Sequence, residues 1–171
     1  MKHLAGHPNI VGCKLSHGNM SHHLILSSTK EINHDKFRVY TGLGQQLLPL
    51  LLSGPGAAGA IDGTAAYFPK TLLRIWNLSK KISAANGNVT KEEWEEVHAL
   101  QCAYSEVEEW VVKFGTIGIK EAVRKVLGIS VGQDGGRLPF CEGASGGGGP
   151  AKQWENFRGA FEAVQDFEGK L

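Results

Sequence analysis

Cysteine is scarce in this sequence. Its three cysteines, Cys13, Cys102 and Cys141, lie far apart and form no Cys-x-x-Cys pair. A set that is odd in number and widely spaced favours neither a disulfide framework nor a zinc site. A reducing, cytoplasmic setting is therefore expected.

Long apolar runs and an excess of one charge are also lacking. No stretch approaches the roughly 18 apolar residues that cross a bilayer, and the N-terminal segment lacks the apolar centre of a signal peptide. Eighteen lysines and arginines nearly balance 17 aspartates and glutamates, which gives a formal net charge of +1. Because this balance offers no electrostatic attraction to nucleic acid or to an anionic membrane, neither partner is expected.

The first 88 residues alternate between two kinds of segment. Short apolar runs with β-branched or small side chains are typical of buried parallel strands, and we predict such strands at 9–15, 37–41 and 57–62. Helices are predicted at 22–30, at 45–52 and from Pro69 to about residue 86. The order is therefore β-α-β-α-β-α.

From Thr90 onward the pattern becomes helical. Thr90 and Glu93 form a capping box, and apolar residues then recur every three or four positions as far as Val111. We predict a long amphipathic helix that breaks at Gly115 and resumes over about 117–127. Its glutamates are assigned to a solvated face; they are Glu92, Glu93, Glu95, Glu96, Glu106, Glu108 and Glu109.

Glycine is concentrated near the C-terminus. The run at 143–150 is predicted to be a flexible connection, because so many glycines lose too much conformational freedom in a regular element. This connection would separate a helical extension, 89–142, from a terminal segment, 151–171. Within the terminal segment an amphipathic helix is predicted at 154–167.

Lys14 is the candidate nucleophile. Side chains alternate along a strand, so Ile10, Gly12 and Lys14 share one face, while Val11, Cys13 and Leu15 share the face expected to pack on helices. Gly12 leaves space beside Lys14, and partial desolvation of the amine is expected at this place. A neutral lysine can attack a ketone to form an imine. A solvated surface lysine is the alternative interpretation.

A family resemblance favours the first interpretation. The segment HPNIVGCKLSHGN, from His7 to Asn19, resembles the segment around the imine-forming lysine of the dihydrodipicolinate synthase, N-acetylneuraminate lyase and 4-hydroxy-2-oxoglutarate aldolase family. The resemblance extends to about residue 140 through Thr41-Gly42, Gly59-Ala60-Ile61, Gly118-Ile119-Lys120 and Gly136-Arg137-Leu138-Pro139. Asp62 and Ala66 depart from the serine and asparagine that the family often has.

The resemblance implies a fold and a set of site residues. It implies an α/β fold, namely the last three βα units of a (β/α)8 barrel over 1–88, followed by the helical extension. Lys14 would form the imine, Gly42 would line the pyruvate pocket by close backbone approach, and Ile61 would contact the bound keto acid. No cofactor and no metal are implied, and a homo-oligomer is expected if the barrel is complete.

The same resemblance implies a reaction. It would be that of a class I, pyruvate-dependent lyase or aldolase acting on 4-hydroxy-2-oxoglutarate or a 3-deoxy-hexulosonate. A 4-hydroxy-tetrahydrodipicolinate synthase is one alternative, and a non-catalytic remnant or interaction module is another. In the family, a Thr-Thr-Gly carboxylate-binding segment and a relay tyrosine lie upstream of the lysine, in five βα units that this sequence does not contain. Slow or absent turnover is therefore expected of the isolated chain.

Other patterns are given structural interpretations. The histidines His17, His22, His23 and His34 are assigned to the surface or to loops rather than to a metal site. The Gly-Leu-Gly run at 42–44 lacks the third glycine of a dinucleotide-binding fingerprint. Trp94, Tyr104 and Trp110 are interpreted as helix-packing aromatics.

Overall fold

A computed structural model describes residues 1–84, 88–129 and 149–171. The Arg137-containing motif and most of the glycine-rich run lie outside these residues. In chain order the strands and α-helices are α1 (Lys2–Ala5), β1 (Gly12–Leu15), α2 (Met20–Ser28), β2 (Arg38–Thr41), α3 (Leu47–Ser53), β3 (Ala57–Ala60), α4 (Pro69–Ala84), α5 (Lys91–Leu127) and α6 (Pro150–Lys170). Short 3-10 turns precede α3 and α4.

The three strands form one parallel sheet in the order β1-β2-β3, with a helix between successive strands. The predicted β-α alternation is therefore present. Between β2 and β3 the register shifts, so that Ala58 is the extra residue opposite Val39 and Tyr40. The carbonyl of Ala58 accepts a hydrogen bond from Trp76 Nε1 at 2.8 Å, so a side chain of α4 binds the backbone at this irregularity.

The N-terminal end of β1 corrects the predicted alternation of faces. Val11 was expected to pack on helices but is 73% exposed. Ile10 was assigned to the opposite face, yet it packs with Cys13 and Leu15 against a small core of Leu26, Ile32, Phe37 and Val39. The reason is local, since Ile10 N donates to His7 O in a turn and the strand begins only at Gly12. Strand periodicity therefore does not extend back to residue 9.

The larger core lies between the helices. It joins α3 and α4 to the long helix α5 and to α6. The predicted capping box at Thr90 and Glu93 is confirmed, and so is the break at Gly115, whose φ of 57° and ψ of −141° are not helical. Helix α6 begins at Pro150, four residues before the predicted start, so Pro150 belongs to a helix rather than to the flexible connection.

One glutamate of α5 was placed wrongly by the sequence analysis. Glu108 was assigned to the solvated face, but its exposure is 0%. It lies four residues after Tyr104, which is also fully buried, so the two share the inner face of the helix. Two other glutamates of the set, Glu93 and Glu96, are partly buried and form ion pairs with Lys81 and Arg74 of α4.

No helix among the described ranges is long and apolar enough to cross a membrane.

Candidate active site

The carboxyl ends of the three strands bring the candidate residues to one edge of the sheet. Lys14 lies near the end of β1, Gly42 directly follows β2, and Ile61 and Asp62 directly follow β3. In a parallel sheet these ends meet at the same edge, where α/β proteins bind their ligands. The hydrogen-bond ladder continues to this edge, because Gly42 N donates to Leu15 O at 2.7 Å and Ile61 N donates to Thr41 O at 2.8 Å.

Lys14 and Gly42 approach each other closely. A Cβ atom added to Gly42 would lie 2.8 Å from Lys14 Cε and 2.0 Å from Ser16 Oγ. Glycine is therefore the only residue that this backbone accommodates without displacing the lysine or the serine. The Lys14 side chain itself is exposed, which corrects the expected desolvation.

Two side chains fix the loops around Lys14. Thr41, which is fully buried, donates from Oγ1 to Gln46 Oε1 at 2.8 Å. Gln46 in turn donates from Nε2 to the carbonyl of Gly18, also at 2.8 Å. The loop after β1 is thereby tied to the loop after β2. Gly18 itself has a φ of 72°, a left-handed conformation that favours glycine.

Helix α5 reaches the same edge from behind. Glu108 Oε2 accepts from the backbone N–H of Gly44 at 2.8 Å, and Gln101 Nε2 donates to the carbonyl of Gly44 at 3.2 Å. Tyr104 Oη donates to Asp62 Oδ2 at 3.2 Å. A Cβ atom on Gly44 would lie 2.2 Å from Asp62 Oδ2 and 2.3 Å from Tyr104 Cε1. The helical extension is thus packed into the candidate site through a residue that has to be glycine.

Burial raises the pKa values of Glu108, Asp62 and Tyr104. Desolvation, reinforced by the charge of Asp62, raises the pKa of Glu108 to about 7. Desolvation also raises the pKa of Asp62, although hydrogen bonds from Ala65 and Tyr104 and the nearby charge of Lys14 act in the opposite direction. The pKa of Tyr104 lies well above its ordinary value for the same reason, so the phenol stays protonated and donates.

Sequence reasoning found part of this arrangement. Lys14 and Gly42 are brought together, while Ile61 follows β3 at the same edge and is 51% exposed. Tyr104 and Glu108 were missed as site residues, and Asp62 was noted only as a departure from the family pattern. The available signal was the four-residue spacing between Tyr104 and Glu108 on α5, because it puts a carboxyl on the same face as a buried tyrosine.

The histidines form a separate group beside the site. His22 Nδ1 lies 3.1 Å from His17 Nε2, and both residues are exposed, as expected. His23 was assigned to the surface but is fully buried in α2, with neither ring nitrogen hydrogen-bonded to a described residue. Across 1–84, 88–129 and 149–171, no group of three or more His, Cys, Asp or Glu side chains is arranged to hold a metal ion.

Comparison with known proteins identifies the relatives of this chain. No family model matches it. An uncharacterized DapA-like lyase from Pyrococcus horikoshii is 36% identical over 83 residues, which cover 48% of this chain and 26% of that protein. An uncharacterized DapA-like lyase from Pyrococcus abyssi is 40% identical over 73 residues, which cover 43% and 24%. The chain thus spans about a quarter of the length of these curated relatives.

The fold has a counterpart among solved structures. A dihydrodipicolinate synthase family protein from Coccidioides immitis matches 97% of this chain and 49% of its own, with a TM-score of 0.65 and 22% identity. The fold is therefore of the α/β class, with a small parallel sheet and surrounding helices. Over part of its length the chain is similar to DapA-like lyases, and its fold is similar to that of a dihydrodipicolinate synthase family protein.

Proposed function

We propose that this chain carries the imine-forming lysine of a class I, pyruvate-dependent lyase, and that Lys14 is the nucleophile. The observation that carries the proposal is the position of Lys14 at the carboxyl edge of a parallel sheet, against Gly42 and within electrostatic reach of Asp62. The three βα units then correspond to the last three of a (β/α)8 barrel, a fold whose chemistry lies at this edge.

The proposed reaction begins with attack by the neutral Nζ of Lys14 on the keto carbon of the substrate. Protonation of the adduct and loss of water leave a protonated imine. Its nitrogen accepts the electron pair released when the C3–C4 bond breaks, and the C4 hydroxyl loses its proton so that C4 departs as the carbonyl carbon of an aldehyde. The resulting enamine takes up a proton at carbon, and hydrolysis then returns pyruvate and the free amine. Gly42 and Ile61 would flank the bound keto acid. The proposed substrate class is 4-hydroxy-2-oxoglutarate or a 3-deoxy-hexulosonate.

Reductive trapping tests this proposal. Incubating the folded chain with pyruvate and borohydride should attach one pyruvyl group to Lys14, located by mass spectrometry of the peptides. Lys14→Arg should abolish the adduct, because a guanidinium is not a nucleophile at neutral pH. Lys36→Arg, which changes another exposed lysine, should leave it intact. Absence of an adduct at Lys14, or equal labelling of all exposed lysines, would favour a non-catalytic remnant instead.

Gly42→Ala should slow the same trapping reaction by about 10²-fold, the cost of displacing a reacting group by roughly 1 Å. The new methyl group would occupy space held by Ser16 Oγ and Lys14 Cε. Rates of borohydride trapping at fixed pyruvate concentration measure the effect. Adding Ser16→Gly should restore part of the rate by removing the serine contacts. As a control, Gly159→Ala on α6 meets no atom within 4 Å and should leave the rate unchanged. Equal rates in all variants would contradict the steric explanation.

A further inference from the structure

We propose that Asp62, Tyr104 and Glu108 form an acid–base cluster that exchanges a proton with carbon 3 of the pyruvyl imine on Lys14. This inference rests on the proposed function of Lys14 and extends it to residues of the helical extension. Asp62 is the group that touches the adduct, whereas Tyr104 and Glu108 are positioning residues that act through it.

Exposure separates the roles within the cluster. Asp62 is half-buried, but the exposures of Tyr104 and Glu108 are 0%. Asp62 is therefore the one member that a ligand at the sheet edge can reach. It is also the member whose proton affinity responds to the charge of Lys14. A carboxylate at this position can accept a proton from a ligand bound to the lysine.

Contacts within the cluster fix Asp62 and leave room for a second proton. Tyr104 Oη donates to Asp62 Oδ2, and Ala65 N donates to Asp62 Oδ1 at 3.0 Å. Glu108 is anchored through Oε2 to Gly44 N, and the hydroxyl of Thr64 and the N–H of Gln45 also act on its carboxyl and lower its pKa. Its buried Oε1 nevertheless has no partner at full hydrogen-bond geometry among the described residues. A fully buried carboxylate oxygen without a donor is costly unless the group carries a proton.

The charges around Glu108 also favour its protonated form. The titratable groups that face Glu108 are Asp62 after β3, Tyr104 on its own helix and Tyr67 before α4, and the hydroxyl of Thr64 lies beside it. Lys14, which acts on Asp62, is the cation that bears on the cluster. Two neighbouring carboxyls with little solvent do not both ionise easily. The pKa of Glu108, about 7, therefore lets the cluster hold a proton near neutral pH.

Proton transfer to Asp62 converts the protonated imine on Lys14 into an enamine. The C3–H bond of the imine breaks, its proton goes to the Asp62 carboxylate, and its electron pair forms a carbon-carbon double bond. The π electrons of the carbon-nitrogen bond move onto nitrogen, which gives a neutral enamine. Return of the proton from Asp62 to carbon 3 reverses the step. Glu108, by its own charge state, determines how readily Asp62 takes the proton.

Hydrogen-deuterium exchange at the methyl group of pyruvate measures this step directly. In D2O the wild-type chain should exchange these hydrogens, with a rate that shows an inflection at about pH 7, the pKa of Glu108. Asp62→Asn should slow exchange by about 10²-fold, the usual contribution of a general base. Tyr104→Phe should slow it by about tenfold. All variants should still give the borohydride adduct, because Lys14 is unchanged.

Glu108→Gln provides the sharpest comparison. The inflection near pH 7 should disappear from its exchange profile, whereas Glu109→Gln, the same change at the exposed neighbouring position, should retain it. Infrared difference spectra of the wild-type chain give a measurement that needs no variant, since a protonated carboxyl band should vanish with the same midpoint.

The outcomes separate the two proposals. An adduct on Lys14 with exchange that is unchanged in Asp62→Asn and Glu108→Gln overturns the acid–base cluster and leaves the imine function standing. A wild-type infrared titration without a buried carboxyl near pH 7 also overturns it. No adduct on the wild-type chain overturns the proposed function and this inference together. Adduct formation with the predicted losses of exchange supports both.

Discussion

Glu108→Gln should raise the free energy of unfolding at pH 8 by about 3 kcal/mol, because it removes a carboxylate that ionises in a buried place. The pKa of Glu108 is raised from 4.5 to about 7 in the fold. Between these two pH values the unfolded chain loses its proton while the folded chain keeps it. Wild-type stability therefore falls as pH rises from about 4.5 to about 7 and levels off above that, whereas the glutamine variant lacks this loss.

Urea unfolding at a series of pH values measures the difference. Asp62, whose pKa is also raised, contributes a change of the same sign in both proteins, so the difference between their curves reports Glu108 together with its coupling to Asp62. Glu109→Gln is the matched control and should follow the wild type, because Glu109 is exposed. Parallel curves for wild type and Glu108→Gln between pH 5 and pH 8 would contradict the assigned burial.

Trp110→Ala should cost about 3–5 kcal/mol of stability, the usual range for removing a fully buried large aromatic side chain. Trp110 is 0% exposed, and its ring centroid lies 4.6 Å from Phe114, 5.3 Å from Trp154, 5.4 Å from Phe157 and 5.7 Å from Phe161. Its Nε1 donates to Gly118 O at 2.7 Å, across the break at Gly115. The substitution would leave a cavity between α5 and α6 and remove the hydrogen bond to the Gly118 carbonyl.

Chemical denaturation followed by far-ultraviolet circular dichroism would measure this loss. Trp94→Ala serves as the control, because Trp94 is only partly buried and its ring contacts His98 at 5.4 Å. We expect a much smaller loss there. A third variant, Trp110→Phe, retains most of the ring packing and removes the hydrogen bond to Gly118, which typically contributes about 1 kcal/mol. Similar costs for Trp94→Ala and Trp110→Ala would show that the aromatic cluster does not stabilise the extension as described.

Helix α5 has two roles in this molecule. Its Trp110 side holds α6, and its Gln101, Tyr104 and Glu108 side chains hold the loops at the carboxyl edge of the sheet. The same helix makes both sets of contacts. A packing defect near Trp110 should therefore also change the positions of Asp62 and Gly44. The C-terminal extension is therefore part of the candidate site rather than an appendage to the sheet.

Local signals in the sequence were sufficient for several features. The capping box at Thr90 and the break at Gly115 depend on a few neighbouring residues, and both are present. The three parallel strands followed from short apolar runs separated by helical segments. The meeting of Lys14 with Gly42 also followed, because both lie at the carboxyl ends of neighbouring strands. The similarity to DapA-like lyases, which the segment around Lys14 indicated, was likewise readable from the sequence.

Only the tertiary structure decided how α5 meets the sheet. Amphipathic periodicity showed that α5 has a buried face, but glutamate is so rarely fully buried that Glu108 was assigned to solvent. Its burial depends on Gly44, sixty-four residues away in sequence, whose N–H it accepts. Likewise, the turn at His7 removed Val11 from the strand pattern. The sequence by itself indicated the candidate lysine and the similarity to DapA-like lyases, because both depend on a short local segment, while packing between distant elements determined which acidic groups lie near that lysine.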